Sequence, residues 1–177
     1  RHGTRNPDRI PARNRTRCGS VPADFAQLSL SFRPHIIMSA LRIDVADHAS
    51  VDAAARELAG EPIDVLVNNA GVYGGPRQAF GSVDYDHWAS VLRVNTMGPL
   101  KITEAFADHL VRGERKLVVA VSSYMASIAE TGSGYLVYRT SKAALNMVMA
   151  TLAHELASKG IISIALSPGW VRTDMGG

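Results

Sequence analysis

Ile63-Asp64-Val65-Leu66-Val67-Asn68-Asn69-Ala70-Gly71 decides how the chain is read. The first part is short, apolar and rich in β-branched residues, as a largely buried strand requires. The second part is a turn of small polar residues that lets a ligand come close to the backbone. The same pattern recurs twice downstream. Lys116-Leu117-Val118-Val119-Ala120-Val121 ends on Ser122-Ser123, and Ile161-Ile162-Ser163-Ile164-Ala165-Leu166 ends on Ser167-Pro168-Gly169-Trp170. Between these runs lie longer segments of helical period. Strands alternating with helices imply an α/β fold with a parallel sheet, and such sheets bind ligands in the loops beyond the carboxyl ends of their strands.

The longest helical segment opens with Tyr138-Arg139-Thr140-Ser141-Lys142. A tyrosine and a lysine four positions apart lie on one helical face about one turn from each other. A phenol with a reference pKa near ~10 is a poor proton source at neutral pH, but a neighbouring ammonium favours the phenolate and lowers that value. The pair is therefore a candidate general acid or base. Taken alone, five residues of this kind recur by chance on exposed helix surfaces; their company gives them weight.

Asn68-Asn69-Ala70-Gly71, Asn95 within Val94-Asn95-Thr96, the Ser122-Ser123 pair, Tyr138-x-x-x-Lys142 and Pro168-Gly169-Trp170-Val171-Arg172-Thr173 follow one another in the order and approximate spacing of the short-chain dehydrogenase/reductase family. The run Val121–Ile128 with Tyr138–Asn146 most resembles its carbonyl-reductase-like C-factor group. The resemblance covers residues 36–177, and the conjunction of motifs is far more specific than any one of them. It implies a Rossmann-type doubly wound sheet, NAD or NADP as cofactor, and hydride exchange between a small carbonyl compound and its alcohol. By the same resemblance, Tyr138 would exchange a proton with the substrate oxygen and Lys142 would lower the phenol pKa and bind the nicotinamide ribose. Ser123 would hold the substrate oxygen; the interval to Tyr138 is longer than usual, pointing to an insertion around Glu130–Gly134 and leaving Ser122 open. Asn95 would organise a water next to the lysine. Asp44 would lie near the adenine, Asn68, Ala70 and Gly71 beside the cofactor, and Pro168, Gly169 and Thr173 around its carboxamide. Helices around Asn95 and Tyr138 commonly pair subunits in the family, which implies a homo-oligomer.

Two departures qualify this reading. The family pattern demands a first β-α-β unit carrying Gly-x-x-x-Gly-x-Gly, because the dinucleotide pyrophosphate rests on exposed amides at a helix amino terminus. That spacing occurs nowhere in the chain. Residues 1–34 form instead an Arg- and Pro-rich segment, broken by Pro7, Pro11, Pro22 and Pro34, and expected to be irregular; residues 35–177 read as a partial dehydrogenase domain. A truncated or frame-shifted reading of a longer gene is the expectation for the first segment, with Met38 as an alternative start. The chain also stops soon after Thr173-Asp174-Met175, so a fragment or dimerisation remnant without catalysis is the alternative to an active oxidoreductase.

Composition bounds the remaining possibilities. The formal net charge of +3 comes from the first segment, where Arg1, Arg5, Arg9, Arg13, Arg15 and Arg17 cluster without interleaved aromatics, a poor match to a nucleic-acid-binding arm. A hydrophobic content of 46% suffices for a globular core, and no apolar run reaches membrane-spanning length, so the chain reads as a soluble protein. Cys18 is the sole cysteine, which excludes an internal disulfide and fits a cytoplasmic setting. The histidines lack metal-ligand spacing and read as surface residues.

The periodicity predicts a strand over 35–43, a helix over 49–59 capped by Asp47, a helical segment over 84–112 kinked at Pro99, and a helix from Tyr138 to Lys159 with Leu145, Val148, Met149, Leu152 and Leu156 inward. With no first β-α-β unit, the strand ending at Asp44 would lack a neighbour, and the one ending at Asn68 would leave an apolar edge.

Overall fold

The computed structural model describes residues 40–170. Strands β1 (Val65–Asn68), β2 (Leu117–Val121) and β3 (Ile162–Leu166) form a parallel sheet in that order. Val67 pairs with Val119, and Val119 with Ile164, so the carboxyl ends of neighbouring strands fall side by side. Ser122 N donates to Leu166 O at 2.8 Å, extending that alignment into the loops. This is the α/β architecture that the recurring strand-and-polar-loop pattern implies.

Two faces of the sheet differ. Val118 and Ala120 of β2 are fully buried and pack with Leu110, Leu145, Met149, Leu152 and Ile161. On the opposite face Val65, Val67, Ile162, Ile164 and Leu166 are exposed.

Helix α1 (His48–Glu57) starts where Asp47 Oδ1 accepts from Ala49 N at 2.9 Å, and its buried residues are Val51, Ala54 and Ala55. The long helix α5 (Leu136–Glu155) buries Leu145, Met149 and Leu152 against the sheet, with Val148 and Leu156 at the margin. A short 3₁₀ turn follows, and Gly160 reverses the chain into β3 at φ +70°, a conformation that favours glycine.

Elsewhere the structure differs from the sequence expectation. Residues 40–43 form no strand, and residues 35–39 lie outside the described region. A strand needs a hydrogen-bonded neighbour, and β1 pairs only with β2 among the described residues. The segment expected to be one kinked helix is three: α2 (Tyr85–Leu92), α3 (Gly98–Ala105) and α4 (Ala107–Arg112). A π-helical turn over Arg93–Met97 joins the first two, and Gly98 N donates to Arg93 O across it. Pro99 thus stands in the first turn of α3, where its missing N–H costs little. His109, expected at the surface, is buried: its Nε2 lies 3.0 Å from Leu58 O and its ring stacks obliquely on Phe106. The Arg- and Pro-rich segment 1–34 and Thr173 lie outside the described residues. No helix among the described residues is long and apolar enough to cross a membrane.

Candidate active site

The π-helical turn is what brings Asn95 into the site. Widening the helix by one residue per turn re-aims a side chain, and such turns are frequent at functional sites. Asn95 is fully buried; its Oδ1 accepts from Val72 N at 2.8 Å, while Nδ2 donates to Val72 O and to Ser141 Oγ, both at 2.9 Å. Thr96 Oγ1 donates to Ser141 O at 2.9 Å. One asparagine therefore ties the loop after β1 to α5, one residue before Lys142.

Lys142 is buried and donates to Val121 O at the end of β2, at 2.7 Å. Its ammonium stands 5.9 Å from the centroid of the Tyr138 ring. Gly71 completes the arrangement: a Cβ there would meet Lys142 Nζ at 3.4 Å and Asn95 Oδ1 at 3.5 Å, in van der Waals contact with both. Ser123 sits at the mouth of β2, where its hydroxyl accepts from Met125 N at 3.2 Å and also faces the Tyr138 phenol. Ser122 turns away and donates to Asn146 Oδ1 at 2.6 Å. Gly71, Asn95, Ser123, Tyr138 and Lys142 thus converge at the ends of β1 and β2.

The electrostatics depart from the sequence expectation. Burial raises the Tyr138 pKa above its ordinary value, and the Ser123 hydroxyl pulls it partly back. The expected lowering by Lys142 is not what dominates: burial of the phenol outweighs it. Burial lowers the Lys142 pKa to about 8. The phenol is thereby kept in its acid form at neutral pH, while the lysine is poised to lose charge a little above it.

The other candidates are placed less centrally. Asn68 is buried, with Nδ2 donating to Thr103 Oγ1 at 3.4 Å and Oδ1 without a partner. Ala70 is exposed beside Gly71, and Pro168 and Gly169 are exposed beyond β3, with Gly169 at φ +74°. Among the described residues Asp44 makes only local bonds, to Ala46 N and, through its backbone, to Ser50 Oγ and Asp47 N. Of the aromatic residues near the loop after Gly71, Tyr73 packs against the rings of Tyr135 and Tyr138 at 5.5 and 5.0 Å, and burial pushes its pKa up to about 12. Arg77 is paired with Asp84, and Tyr85 is exposed. Sequence reasoning missed Gln78, Ser141 and Asn146, whose hydrogen bonds hold the site together; a polar residue inside an apolar helix stripe was the available signal for Ser141 and Asn146, and Gln78 had none.

The fit to a nicotinamide nucleotide rests on two observations. The unpartnered, buried Asn68 Oδ1 is an acceptor able to take a ligand donor, and the side-chain-free Gly71 leaves the backbone open next to Lys142. Residues for the nicotinamide-ribose end are therefore present. A Gly-x-x-x-Gly-x-Gly run for the pyrophosphate is not. No group of histidines, cysteines and carboxylates able to hold a metal occurs among the described residues.

Comparison with known proteins places these features. A family model described as short chain dehydrogenase matches residues 23–177. The chain is 44% identical to C-signal of Myxococcus xanthus over 126 residues, covering 71% of this chain and 75% of that protein. Among solved structures, it resembles an NADPH-bound carbonyl reductase from chicken fatty liver with a TM-score of 0.71 and 32% identity, over 77% of this chain and 60% of that one. It also resembles the carbonyl reductase Sniffer of D. melanogaster with a TM-score of 0.70 and 30% identity, over 77% and 61%. The chain thus spans about three fifths of the solved structures it resembles.

Proposed function

The chain belongs to the short-chain dehydrogenase family, and from that premise we propose that it is an NAD(P)-dependent oxidoreductase interconverting a small carbonyl compound and its alcohol. A nicotinamide nucleotide, when bound, supplies or accepts the hydride. Tyr138 gives its phenolic proton to the substrate oxygen during reduction and recovers it during oxidation. Ser123, facing that phenol, orients the oxygen and stabilises the charge that develops on it. Lys142 holds the ribose and the phenolate charge, and Asn95 fixes the loop and helix that set their spacing. By the family resemblance, Asn68, Ala70 and Gly71 would lie beside the cofactor, Pro168, Gly169 and Thr173 around its carboxamide, and Asp44 near the adenine.

The convergence of Ser123 and Lys142 on Tyr138 carries this reading. One observation favours a second: without the glycine run, the chain keeps the proton-transfer half of the fold but not the usual pyrophosphate grip. On that reading it is a non-catalytic remnant whose α3 and α5 faces pair with a second copy. Titration of NADH and NADPH into the purified chain separates them. Saturable binding with carbonyl-dependent oxidation supports the enzyme, and no binding at millimolar cofactor supports the remnant.

A further inference from the structure

Gln78 lies in the loop after β1 yet is buried, and each polar group of its side chain is engaged. Its Oε1 accepts from Tyr138 N at 2.9 Å, and its Nε2 donates to Tyr73 O at 3.0 Å and Gly75 O at 2.7 Å. Flipping the amide would set an oxygen against two carbonyls and an NH₂ group against an N–H, so the network determines the orientation. The Gln78 backbone carbonyl accepts from Leu136 N at 3.1 Å.

These bonds meet a need of α5. The first N–H groups of a helix lack partners within it, and a local side chain usually caps one. Here the residue at the cap position, Tyr135, is left-handed at φ 53° and supplies no side-chain bond. A residue 60 positions upstream of Tyr138 does so instead. Gly74, at φ +94°, makes the approach possible, because a Cβ there would stand 3.0 Å from Val137 Cγ1 and 3.3 Å from Gln78 Cδ. The same closure stacks Tyr73 on the Tyr138 ring and forms, with Gly75, Pro76 and Tyr135, a cavity of about 490 Å³ whose wall includes Gln78.

We propose that Gln78 is a positioning residue for proton transfer: by tying the loop 73–78 to the first turn of α5, it sets where the Tyr138 phenol stands relative to Ser123 and Lys142. This rests on the oxidoreductase reading above. The clamp holds Tyr138 twice, at its amide through Gln78 and at its ring through Tyr73. A displaced phenol loses turnover more than cofactor affinity, because small misplacements of a reacting group act on the barrier.

Two variants of the full chain test the idea. Gln78→Leu removes all three side-chain bonds, whereas Gln78→Glu keeps an acceptor for Tyr138 N–H and loses both donations. In Gln78→Leu, amide hydrogen exchange at Tyr138 should quicken about tenfold, the size of a lost cap, while Leu145 and Met149 exchange as before. Gln78→Glu should hold Tyr138 exchange within about threefold of wild type. Carbonyl reduction by Gln78→Leu should show kcat lowered about tenfold or more with the cofactor KM within about twofold. Unchanged exchange at Tyr138, or a rise spread evenly along α5 in both variants, would overturn the proposal. Wild-type turnover in Gln78→Leu would sink the positioning role alone; absence of carbonyl-dependent cofactor oxidation in wild type would sink the proposed function and this inference with it.

Discussion

Lys142 is the residue whose titration makes the account testable in solution. Its pKa falls from the ordinary lysine range to about 8 on folding because the ammonium is desolvated. Between about pH 8 and the unfolded value near ~10.4, the unfolded chain therefore binds more protons than the folded one, and stability contributed at this site rises with pH. Urea unfolding at a series of pH values should show that rise, and Lys142→Met should flatten it. Reduction should decline above about pH 8 as the charge that holds the phenolate is lost. The two serines should separate as well. Ser123→Ala should lower turnover about tenfold to a hundredfold, since its hydroxyl faces the phenol, and cost at most about 1 kcal/mol of stability for the bond to Met125 N. Ser122→Ala should instead cost about 1–2 kcal/mol of stability, because Asn146 loses its 2.6 Å partner. Steady-state kinetics and denaturation on the two variants distinguish these outcomes.

At the scale of elements, close approaches decide which glycines are replaceable. Gly113 closes α4 with its Cα against the Ile63 carbonyl, so an added Cβ would collide with backbone that leads directly into β1. Gly113→Ala should destabilise by about 1–3 kcal/mol or more, measured by chemical denaturation. Gly60 has open space around its Cβ position, and only its φ of +92° penalises a side chain there. How much was legible in the sequence follows the same logic. The three strand runs from Val65 onward, the Asp47 cap and the inward stripe of α5 were readable because local period and capping chemistry dictate them; the strand expected over 35–43 was not formed at 40–43. The π-helical turn at Arg93–Met97 was not, because its hydrogen-bond shift is enforced by Asn95 reaching Val72 and Ser141, partners 23 and 46 residues away. Tyr138, Lys142, Asn95 and Ser123 were nameable from motif order, but the direction of the Tyr138 pKa depends on burial, which no spacing reports.

At the largest scale, one sheet face of the described residues carries a row of exposed apolar side chains. Val65, Val67, Ile162, Ile164 and Leu166 lie on one face of a parallel sheet, an arrangement ordinarily covered on both sides. We predict that this face drives self-association and that Ile164→Lys weakens it, read by sedimentation velocity across a concentration series. The role of the Tyr138 phenol is read from the rate of carbonyl-dependent NAD(P)H oxidation by Tyr138→Phe beside wild type, with cofactor affinity measured on both. The account predicts a loss of turnover of about a hundredfold or more at nearly unchanged cofactor affinity. Full turnover in Tyr138→Phe would contradict it.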